Sequence, residues 1–123
     1  MFVKYLKDCH EFIAGDDSIL RELLHPEKQD LQIHYSLARA KVAPGQVTKP
    51  HKLKSSEVYY ILQGQARMHI DGESFEVSED CAISIPPAST QYIENTGGSD
   101  LAFLCIVDPP WRKAHEQILN NNT

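Results

Sequence analysis

The sequence lacks the features of nucleic-acid-binding and membrane-spanning proteins. Its 123 residues carry a formal net charge of −5 at pH 7, and no window gathers lysine and arginine into a basic stripe. The longest apolar runs, such as LAFLCIV at residues 101–107, are far shorter than the roughly 20 residues that a helix needs to cross a bilayer. We therefore expect a soluble protein whose partners include neither nucleic acid nor a membrane.

Cysteine is scarce as well. The chain has only Cys9, Cys81 and Cys105, widely spaced, with no CxxC pair and no secretory leader before them. An odd, dispersed set of this kind does not indicate a disulfide framework. We expect free thiols in a reducing environment, and hence a cytoplasmic location.

What the sequence does contain is a series of short alternating segments. Hydrophobic residues make up 41% of the chain, which is enough for one domain that buries roughly two-thirds of its unfolded surface. From about residue 31 onward, apolar and polar residues alternate in runs cut by turn residues, the pattern of β-strands. Asp71-Gly72, between ARMHI (66–70) and SFEV (74–77), predicts a type I′ hairpin because these residues tolerate positive φ angles.

About eight short strands, without internal repeats or linkers, predict an all-β fold. A single antiparallel β-barrel, or a double-stranded jelly roll, closes such strands around one core. We place this barrel at residues 31–108 and expect residues 1–30 to pack on it as an N-terminal extension. Within that extension, SILRELLHP (18–26) fits either a helix or an edge strand closed by Pro26, and we favour the strand.

The C-terminal tail, residues 109–123, is predicted to contain a short helix. The segment WRKAHEQIL (111–119) comes directly after Pro109-Pro110. Two prolines end a strand well and are tolerated at the start of a helix. Trp111 follows them, and an isolated large aromatic residue there is expected to anchor the tail by packing.

One polar pair stands out in the stretch PGQVTKPHKLKSSEVYYILQG, residues 44–64. The imidazole of His51 and the carboxylate of Glu57 can meet if one ends a strand and the other begins the next. Alternation along the second strand sends Glu57, Tyr59 and Ile61 to the same face. A carboxylate on an apolar inner face needs a partner, because burying it alone costs several kcal/mol, and His51 is the nearest candidate.

The same stretch resembles the first motif of the cupin superfamily, G(X)5HXH(X)3-4E(X)6G. The spacing is matched by Gly45, His51, Glu57 and Gly64. Leu53 departs from the motif, since it stands where the second histidine belongs. The resemblance is therefore specific in spacing and incomplete in its ligands.

A second stretch, DCAISIPPASTQYIEN, is similar to the second cupin motif, G(X)5PXG(X)2H(X)3N. Pro86 and Asn95 match it, while Asp80, Ala88 and Gln91 replace glycine, glycine and histidine. The two motifs are separated by a short spacing that is typical of small single-domain cupins. The resemblance implies the cupin jelly roll, a fold that serves many unrelated chemistries.

Carried over position by position, the resemblance implies His51, Glu57 and Gln91 as metal donors. Such a set suits a divalent ion, for example iron, manganese, zinc or nickel, held less tightly than by the usual three histidines and one glutamate. The alternative is a polar cluster with no ion, in which Glu57 accepts hydrogen bonds from His51 and Gln91. Both interpretations stay open at this point.

Either interpretation places the cluster at a small-molecule pocket in the barrel. Its apolar lining is expected from Leu53, Ile61, Ile85 and Ile93. Tyr59, beside Glu57, can donate a hydrogen bond or a proton to a ligand, or pack in the core with its hydroxyl satisfied.

The predicted function follows from that pocket. We expect a small-molecule-binding protein that acts on a small oxygenated metabolite at the barrel mouth. It is either a metal-dependent enzyme of dioxygenase or isomerase type, with Glu57 and Tyr59 as catalytic residues, or a metal-free ligand-binding or sensor module. Outward apolar residues on the strand from residue 57 to 63, namely Val58, Tyr60 and Leu62, suit a contact between two subunits, and we expect a homodimer.

Overall fold

The computed structural model describes residues 1–119 of the chain. Within that range the helical structure is limited to two single 3₁₀ turns, Leu6–Asp8 and Lys113–His115. Residues 120–123, the end of the predicted tail, lie outside the described residues. The strands are β1 Glu11–Ile13, β2 Ile19–Leu24, β3 Ser36–Val42, β4 His51–Leu53, β5 Ser56–Gln63, β6 Gln65–Ile70, β7 Glu73–Ser78, β8 Ala82–Ile85, β9 Gln91–Asn95, β10 Leu101–Asp108 and β11 Glu116–Ile118.

The strands form two antiparallel sheets. The six-stranded sheet has the order β1-β2-β3-β10-β5-β8, and the five-stranded sheet has the order β11-β4-β9-β6-β7. Strands adjacent in sequence repeatedly pair across short turns, while β3 and β5 are both neighbours of the distant β10. The predicted all-β antiparallel jelly-roll barrel is thus confirmed.

The predicted hairpin is also confirmed. Strands β6 and β7 pair from Gln65↔Ser78 to Ile70↔Glu73, and the turn between them has φ angles of 49° at Asp71 and 84° at Gly72. Two consecutive positive φ angles are the mark of a type I′ turn, whose twist matches that of the strands it joins.

The backbone also explains the glycine positions of the two motifs. Gly45 and Gly64 have φ angles of 77° and 97°, and a Cβ on Gly64 would lie 3.0 Å from the carbonyl oxygen of Asp100. Asp80 and Ala88, which replace motif glycines, both have φ of 64°. The chain therefore keeps the left-handed backbone of the motif at positions where it has lost the residue that adopts it most easily.

The N-terminal extension contributes two strands, β1 and β2, to the six-stranded sheet. Strand β2, Ile19–Leu24, lies between β1 and β3 and pairs with both, so the strand favoured for residues 18–24 is confirmed. Its helical spacing of leucines is overridden because both edges of the strand find backbone partners. The first barrel strand was expected from residue 31, whereas β3 begins only at Ser36.

The short helix predicted at residues 111–119 is wrong. Lys113–His115 forms one 3₁₀ turn, and Glu116–Ile118 is strand β11, paired with β4 from Glu116↔Leu53 to Ile118↔His51. A nine-residue helix is marginal on its own. The free edge of β4 instead offers the tail a ladder of backbone hydrogen bonds, which extends to an N–H···O contact of 2.8 Å from Leu119 to Pro50.

The core lies between the two sheets. Its most buried members include Ile61, Met68 and Phe103, which belong to one cluster that also contains Tyr59 and Cys105. Burial alternates along β5, as predicted: Tyr59 and Ile61 are buried, Val58 and Tyr60 are half-buried, and Leu62 is exposed. Tyr59 and Cys105 mark the boundary of the core, since they also line a cavity described below.

Two further findings bear on the predicted environment of the protein. All three cysteines are free thiols, as expected, while the cytoplasmic location stays a prediction. Across residues 1–119, the structure has no helix of the length and hydropathy that crossing a membrane requires.

Candidate functional site

A cavity of about 460 Å³ opens at one end of the barrel. The inner faces of both sheets, the loop between β1 and β2, and the C-terminal tail all contribute to its walls. Much of the wall is apolar, including Phe12, Leu20, Leu53, Val107 and Trp111. Such a volume and lining are usual for a site that takes a small molecule. The polar residues used below are Asp16, His51, Glu57, Tyr59 and Glu116.

Most of the predicted polar site residues come together here. His51, Leu53, Glu57 and Tyr59 line the cavity, while Gln91 lies behind Glu57 and Tyr59, almost fully buried. His51 and Gln91 face each other as a β4–β9 pair. The two motifs thus meet in space because their strands are neighbours in one sheet.

The predicted apolar lining needs correction. Ile61, Ile85 and Ile93 do point inward, but each is at most 1% exposed and belongs to the packed core cluster instead of the cavity wall. These inward positions lie where side chains from the two sheets meet and fill the interior. Of the four apolar residues proposed, only Leu53 lines the cavity.

A hydrogen-bonded relay links three buried side chains. The Tyr59 hydroxyl donates to Gln91 Oε1 at 3.0 Å, and Gln91 Nε2 donates to Glu57 Oε1 at 3.1 Å. The hydroxyl of Tyr59 therefore orients the amide of Gln91, so that its N–H group faces the carboxyl. Because Tyr59 and Glu57 are on β5 and Gln91 is on β9, the relay joins the two sheets across the barrel interior.

The carboxyl of Glu57 is held in its neutral form. Its pKa is raised to about 8, and burial is the largest cause. The hydrogen bond from Gln91 lowers the pKa, while the charges of Asp16 and Glu116 raise it. Desolvation disfavours the ionised form because an apolar cavity cannot solvate a negative charge. At pH 7 Glu57 is thus a protonated acid facing the cavity.

Tyr59 and Cys105 are neutral for the same reason. Burial, with a smaller effect of the nearby Glu57, raises the pKa of Tyr59 well above its usual range, and burial likewise raises the pKa of the Cys105 thiol. The Tyr59 ring packs against Phe103 with the ring centroids 4.5 Å apart. Tyr59 is therefore a fixed hydrogen-bond donor, and Cys105 has no thiolate with which to attack a substrate.

His51 lines the cavity and uses only one of its two ring nitrogens for a hydrogen bond within the protein. Its Nδ1 lies 2.9 Å from the carbonyl oxygen of Lys49, which can only accept, so Nδ1 carries a hydrogen. In the neutral ring Nε2 is then a hydrogen-bond acceptor. Its nearest charged neighbour is Asp16 Oδ2, at 4.0 Å.

Asp16 was missed by the sequence analysis. It lies in the loop between β1 and β2, where its Oδ1 accepts hydrogen bonds from the backbone N–H of Ser18 at 3.0 Å and from the Ser18 hydroxyl at 2.7 Å. The Asp-x-Ser pattern does signal such a turn. It carries no information about which cavity the turn faces.

Glu116 was missed because the tail was expected to be helical. As the first residue of β11 it lines the cavity, and its Oε2 accepts the indole N–H of Trp111 at 3.2 Å. A Cβ on Gly15 would lie 3.1 Å from Glu116 Oε1, so the β1–β2 loop and the tail approach closely at the cavity. Residues of the β1–β2 loop and of the tail thus both contribute to the cavity wall.

The predicted metal donors His51, Glu57 and Gln91 form a depleted set compared with the usual ligands of the motif. Among residues 1–119, no group of three histidine, cysteine, aspartate or glutamate side chains is placed to hold an ion. The amide oxygen of Gln91, the atom that would bind a metal, already accepts the Tyr59 hydroxyl, and Leu53 offers no donor. His51 and Glu57 alone fall short of the three protein ligands usual in a catalytic site.

Comparison with known proteins places this geometry in a family. A family model described as Cupin domain matches residues 38–107, more than half of the chain. An uncharacterized protein of Methanocaldococcus jannaschii is 43% identical over 109 residues, covering 88% of this chain and 86% of that protein. An oxalate-binding protein of Thermotoga maritima is 34% identical over 71 residues, covering 57% of this chain and 59% of that protein.

The fold likeness extends over the whole described chain. The polyketide cyclase RemF from Streptomyces resistomycificus superimposes with a TM-score of 0.81 at 20% identity, covering 99% of this chain and 89% of that one. At this identity the likeness concerns the fold. The chemistry of this chain has to be argued from its own cavity.

Proposed function

The chain belongs to the cupin family, and from that premise we propose that its cavity binds a small, largely apolar, oxygenated metabolite on which Glu57 and His51 perform acid–base chemistry. The observation that carries the proposal is the carboxyl of Glu57 at a mostly apolar cavity. Burial keeps this carboxyl neutral, and the hydrogen bond from Gln91 fixes its position. A carboxylic acid whose pKa is about 8 is well matched to proton donation near neutral pH.

The arrangement of the side chains supports a role for each of them. Because Gln91 donates to Oε1 of Glu57, the acidic proton belongs on Oε2 and is available to a ligand oxygen. His51 Nε2 accepts a proton from a neighbouring carbon or hydroxyl of the same ligand. In an isomerase, loss of a C–H proton to His51 and gain of the Glu57 proton by a carbonyl oxygen give an enol, which is reprotonated at the neighbouring carbon. In a dehydratase, loss of the C–H proton forms the C=C bond while the Glu57 proton lets the hydroxyl leave as water, and solvent restores the proton of Glu57 and removes that of His51. Tyr59 acts as a positioning residue, since it keeps the Gln91 amide turned toward Glu57.

A second candidate is a metal-free binding or sensor module that uses the same cavity. The apolar walls and the well-packed relay support it, because a rigid, satisfied polar network suits ligand recognition without turnover. The two candidates share the ligand and differ in one result. Only the enzyme converts the ligand, and only its conversion falls by roughly 10²–10⁴-fold in Glu57→Gln.

Binding is tested by thermal and urea unfolding against a panel of small metabolites in the presence of a chelator. A ligand at a hundred times its Kd is expected to raise the free energy of unfolding by about 2.7 kcal/mol. Ala38→Leu fills the cavity and should abolish that gain, because Ala38 lines it. Ala82→Leu, the same substitution at an exposed position of β8, is the matched control. A gain that persists in Ala38→Leu would place the ligand elsewhere and refute the proposal.

Metal dependence is tested separately, because the family implies a metal and the donor set is short. Protein purified without a metal-affinity step is incubated with iron, manganese, zinc or nickel, dialysed and analysed for its metal content. We expect less than one equivalent in the wild type and a gain in Leu53→His, which restores the missing histidine. A full equivalent in the wild type, lost together with activity on chelation, would favour a metal-dependent enzyme of dioxygenase or isomerase type.

We also propose that the protein is a homodimer formed through the outer face of the six-stranded sheet. Half-buried Val58, Tyr60, Leu104 and Ile106 form a continuous apolar surface there, since β5 and β10 are paired in register. Ile106→Arg is expected to yield a monomer in light scattering, because it would bury a charge in the contact. Phe75→Arg, on the exposed face of the other sheet, should remain dimeric. A dimer that survives Ile106→Arg would refute this interface.

A further inference from the structure

The polar residues around the cavity leave three hydrogen-bond acceptors free. Asp16 uses Oδ1 for Ser18, and Glu116 uses Oε2 for the indole of Trp111. Asp16 Oδ2, Glu116 Oε1 and His51 Nε2 have no hydrogen-bond donor among residues 1–119. The imidazole side chain is only 4% exposed, and His51 lines the cavity.

The cations of the cavity wall do not compensate these carboxylates. Lys28 is engaged with Glu22 at 2.7 Å, and Lys113 lies on the exposed surface of the tail. Buried charges in proteins are normally paired with an opposite charge, because removing an ion from water without a partner is unfavourable. The lining therefore offers a ligand two carboxylates to which no lysine or arginine is committed.

The position of His51 fits this environment. Asp16 Oδ2 and His51 Nε2 are 4.0 Å apart, which is too far for a hydrogen bond between them. One ammonium group placed between them can contact both atoms, each at about 2.9 Å. An anionic ligand such as oxalate would instead meet two like charges and a nitrogen lone pair. The polar groups thus call for a donor-rich, positively charged ligand group.

The remaining walls suit the body of such a ligand. Trp111, Tyr59 and Phe12 line the same cavity, and aromatic faces attract ammonium groups more strongly than they attract anions. Together with Leu53 and Val107, they provide apolar surface next to the acceptors. The cavity is thus built for an apolar group that carries a cationic end.

We propose that the ligand is a small amine, bound as its ammonium ion by Asp16 and Glu116, with its apolar body against the aromatic walls and with a hydroxyl or carbonyl oxygen facing Glu57. This inference rests on the proposed function, because it names the class of metabolite that the cavity takes. His51 Nε2, beside the ammonium group, accepts its remaining N–H or the proton of the adjacent reacting group. Asp16 and Glu116 thereby become the residues that determine specificity.

The test uses three probes of similar size: cyclohexylmethylamine, cyclohexylmethanol and cyclohexanecarboxylate, with oxalate as a fourth. Calorimetric titration at pH 7 is expected to give the amine the tightest binding. Asp16→Asn and Glu116→Gln keep the shape and the existing acceptors of both side chains. Each should weaken amine binding by roughly 10–100-fold, the usual effect of losing one charge-assisted hydrogen bond, and leave the affinity for the alcohol unchanged. Glu76→Gln, a carboxylate with 86% of its side chain exposed, is the matched control.

The outcomes separate this inference from the proposed function. Tighter binding of the carboxylate or of oxalate, equal amine binding in Asp16→Asn, or no amine binding at all would each overturn it. If the alcohol or another neutral metabolite still binds and Ala38→Leu abolishes that binding, the proposed function stands and only the ligand class is wrong. If Ala38→Leu changes the binding of no metabolite, the proposed function fails as well.

Discussion

Glu57→Gln is expected to remove a fall in stability of roughly 3–5 kcal/mol that the wild-type protein shows between about pH 5 and pH 8. The folded-state pKa of Glu57 is raised from 4.5 to about 8. Below pH 4.5 both the folded and the unfolded chain hold the proton, so the stability is complete. Above it the unfolded chain releases the proton and the folded chain keeps it, so the free energy of unfolding decreases by about 1.4 kcal/mol per pH unit until the pH passes the folded pKa.

The measurement is urea unfolding of the two proteins at intervals of one pH unit, with the difference between them plotted against pH. Glutamine keeps an oxygen that accepts the Gln91 N–H, so the variant should fold and should gain stability over the wild type as the pH rises. Glu76→Gln, which removes an exposed carboxylate, should follow the wild-type profile. Parallel curves for Glu57→Gln and wild type would show that the buried carboxyl is not held neutral.

Gln91→Leu is expected to destabilise the protein by about 3 kcal/mol, with leucine chosen because its size is similar. The substitution leaves the Tyr59 hydroxyl and the Glu57 carboxyl buried without their partner, and each unsatisfied buried group costs about 1–3 kcal/mol. It also raises the pKa of Glu57 further, because the hydrogen bond from Gln91 lowers that pKa. Gln65→Leu, at an exposed position of β6, should change the stability by no more than about 0.5 kcal/mol.

Tyr59→Phe completes a double-mutant cycle with Gln91→Leu. Tyr59→Phe alone is expected to cost about 1–2 kcal/mol, since it removes one buried hydrogen bond and keeps the ring against Phe103. Residues of one network couple by roughly 0.5–3 kcal/mol. The double variant should therefore lose less free energy of unfolding than the sum of the losses in the two single variants. Strict additivity, measured by urea unfolding at constant pH, would mean that Tyr59 does not position Gln91.

The stability of the relay matters for the proposed function because Glu57, the proposed acid, is one of its three residues. The Glu57 proton is useful only if its carboxyl stays neutral at working pH, and the direction in which it is presented depends on Gln91 and, through it, on Tyr59. Stability at high pH is therefore traded for a protonated acid in the cavity. Loss of stability at functional sites is common for this reason.

Much of the site could be predicted from local pattern. Alternation on β5 placed Glu57 and Tyr59 on the inner face, and the spacing of the two motifs brought His51 and Gln91 into one cluster with them. Asp71-Gly72 marked its hairpin because few residue pairs accept two positive φ angles. The alternation and the turn are short-range constraints of the backbone, which are visible in a single sequence, whereas the meeting of His51 with Gln91 was implied by the resemblance to the cupin motifs.

The rest depended on contacts between segments distant in the chain. Inward alternation could not separate Ile61, Ile85 and Ile93, which fill the core, from Leu53, which lines the cavity, because that difference is set by how far the opposite sheet reaches at each level of the barrel. The tail forms β11 because β4 has an edge without a backbone partner. The residues of the tail alone carry no signal of that edge.

By itself, then, the sequence determined the strand periodicity, the turns, the barrel class and the inward direction of Glu57 and Tyr59, which follow from the two-residue repeat of a strand and the φ preferences of single residues. The placement of Gln91 beside His51 and Glu57 was implied by the resemblance to the cupin motifs. Only the tertiary structure decided that Asp16 and Glu116 reach the same cavity, that Gln91 hydrogen-bonds to both Tyr59 and Glu57, and that burial raises the pKa of Glu57. These depend on burial and on distances between chain segments, and neither exists until the two sheets have closed.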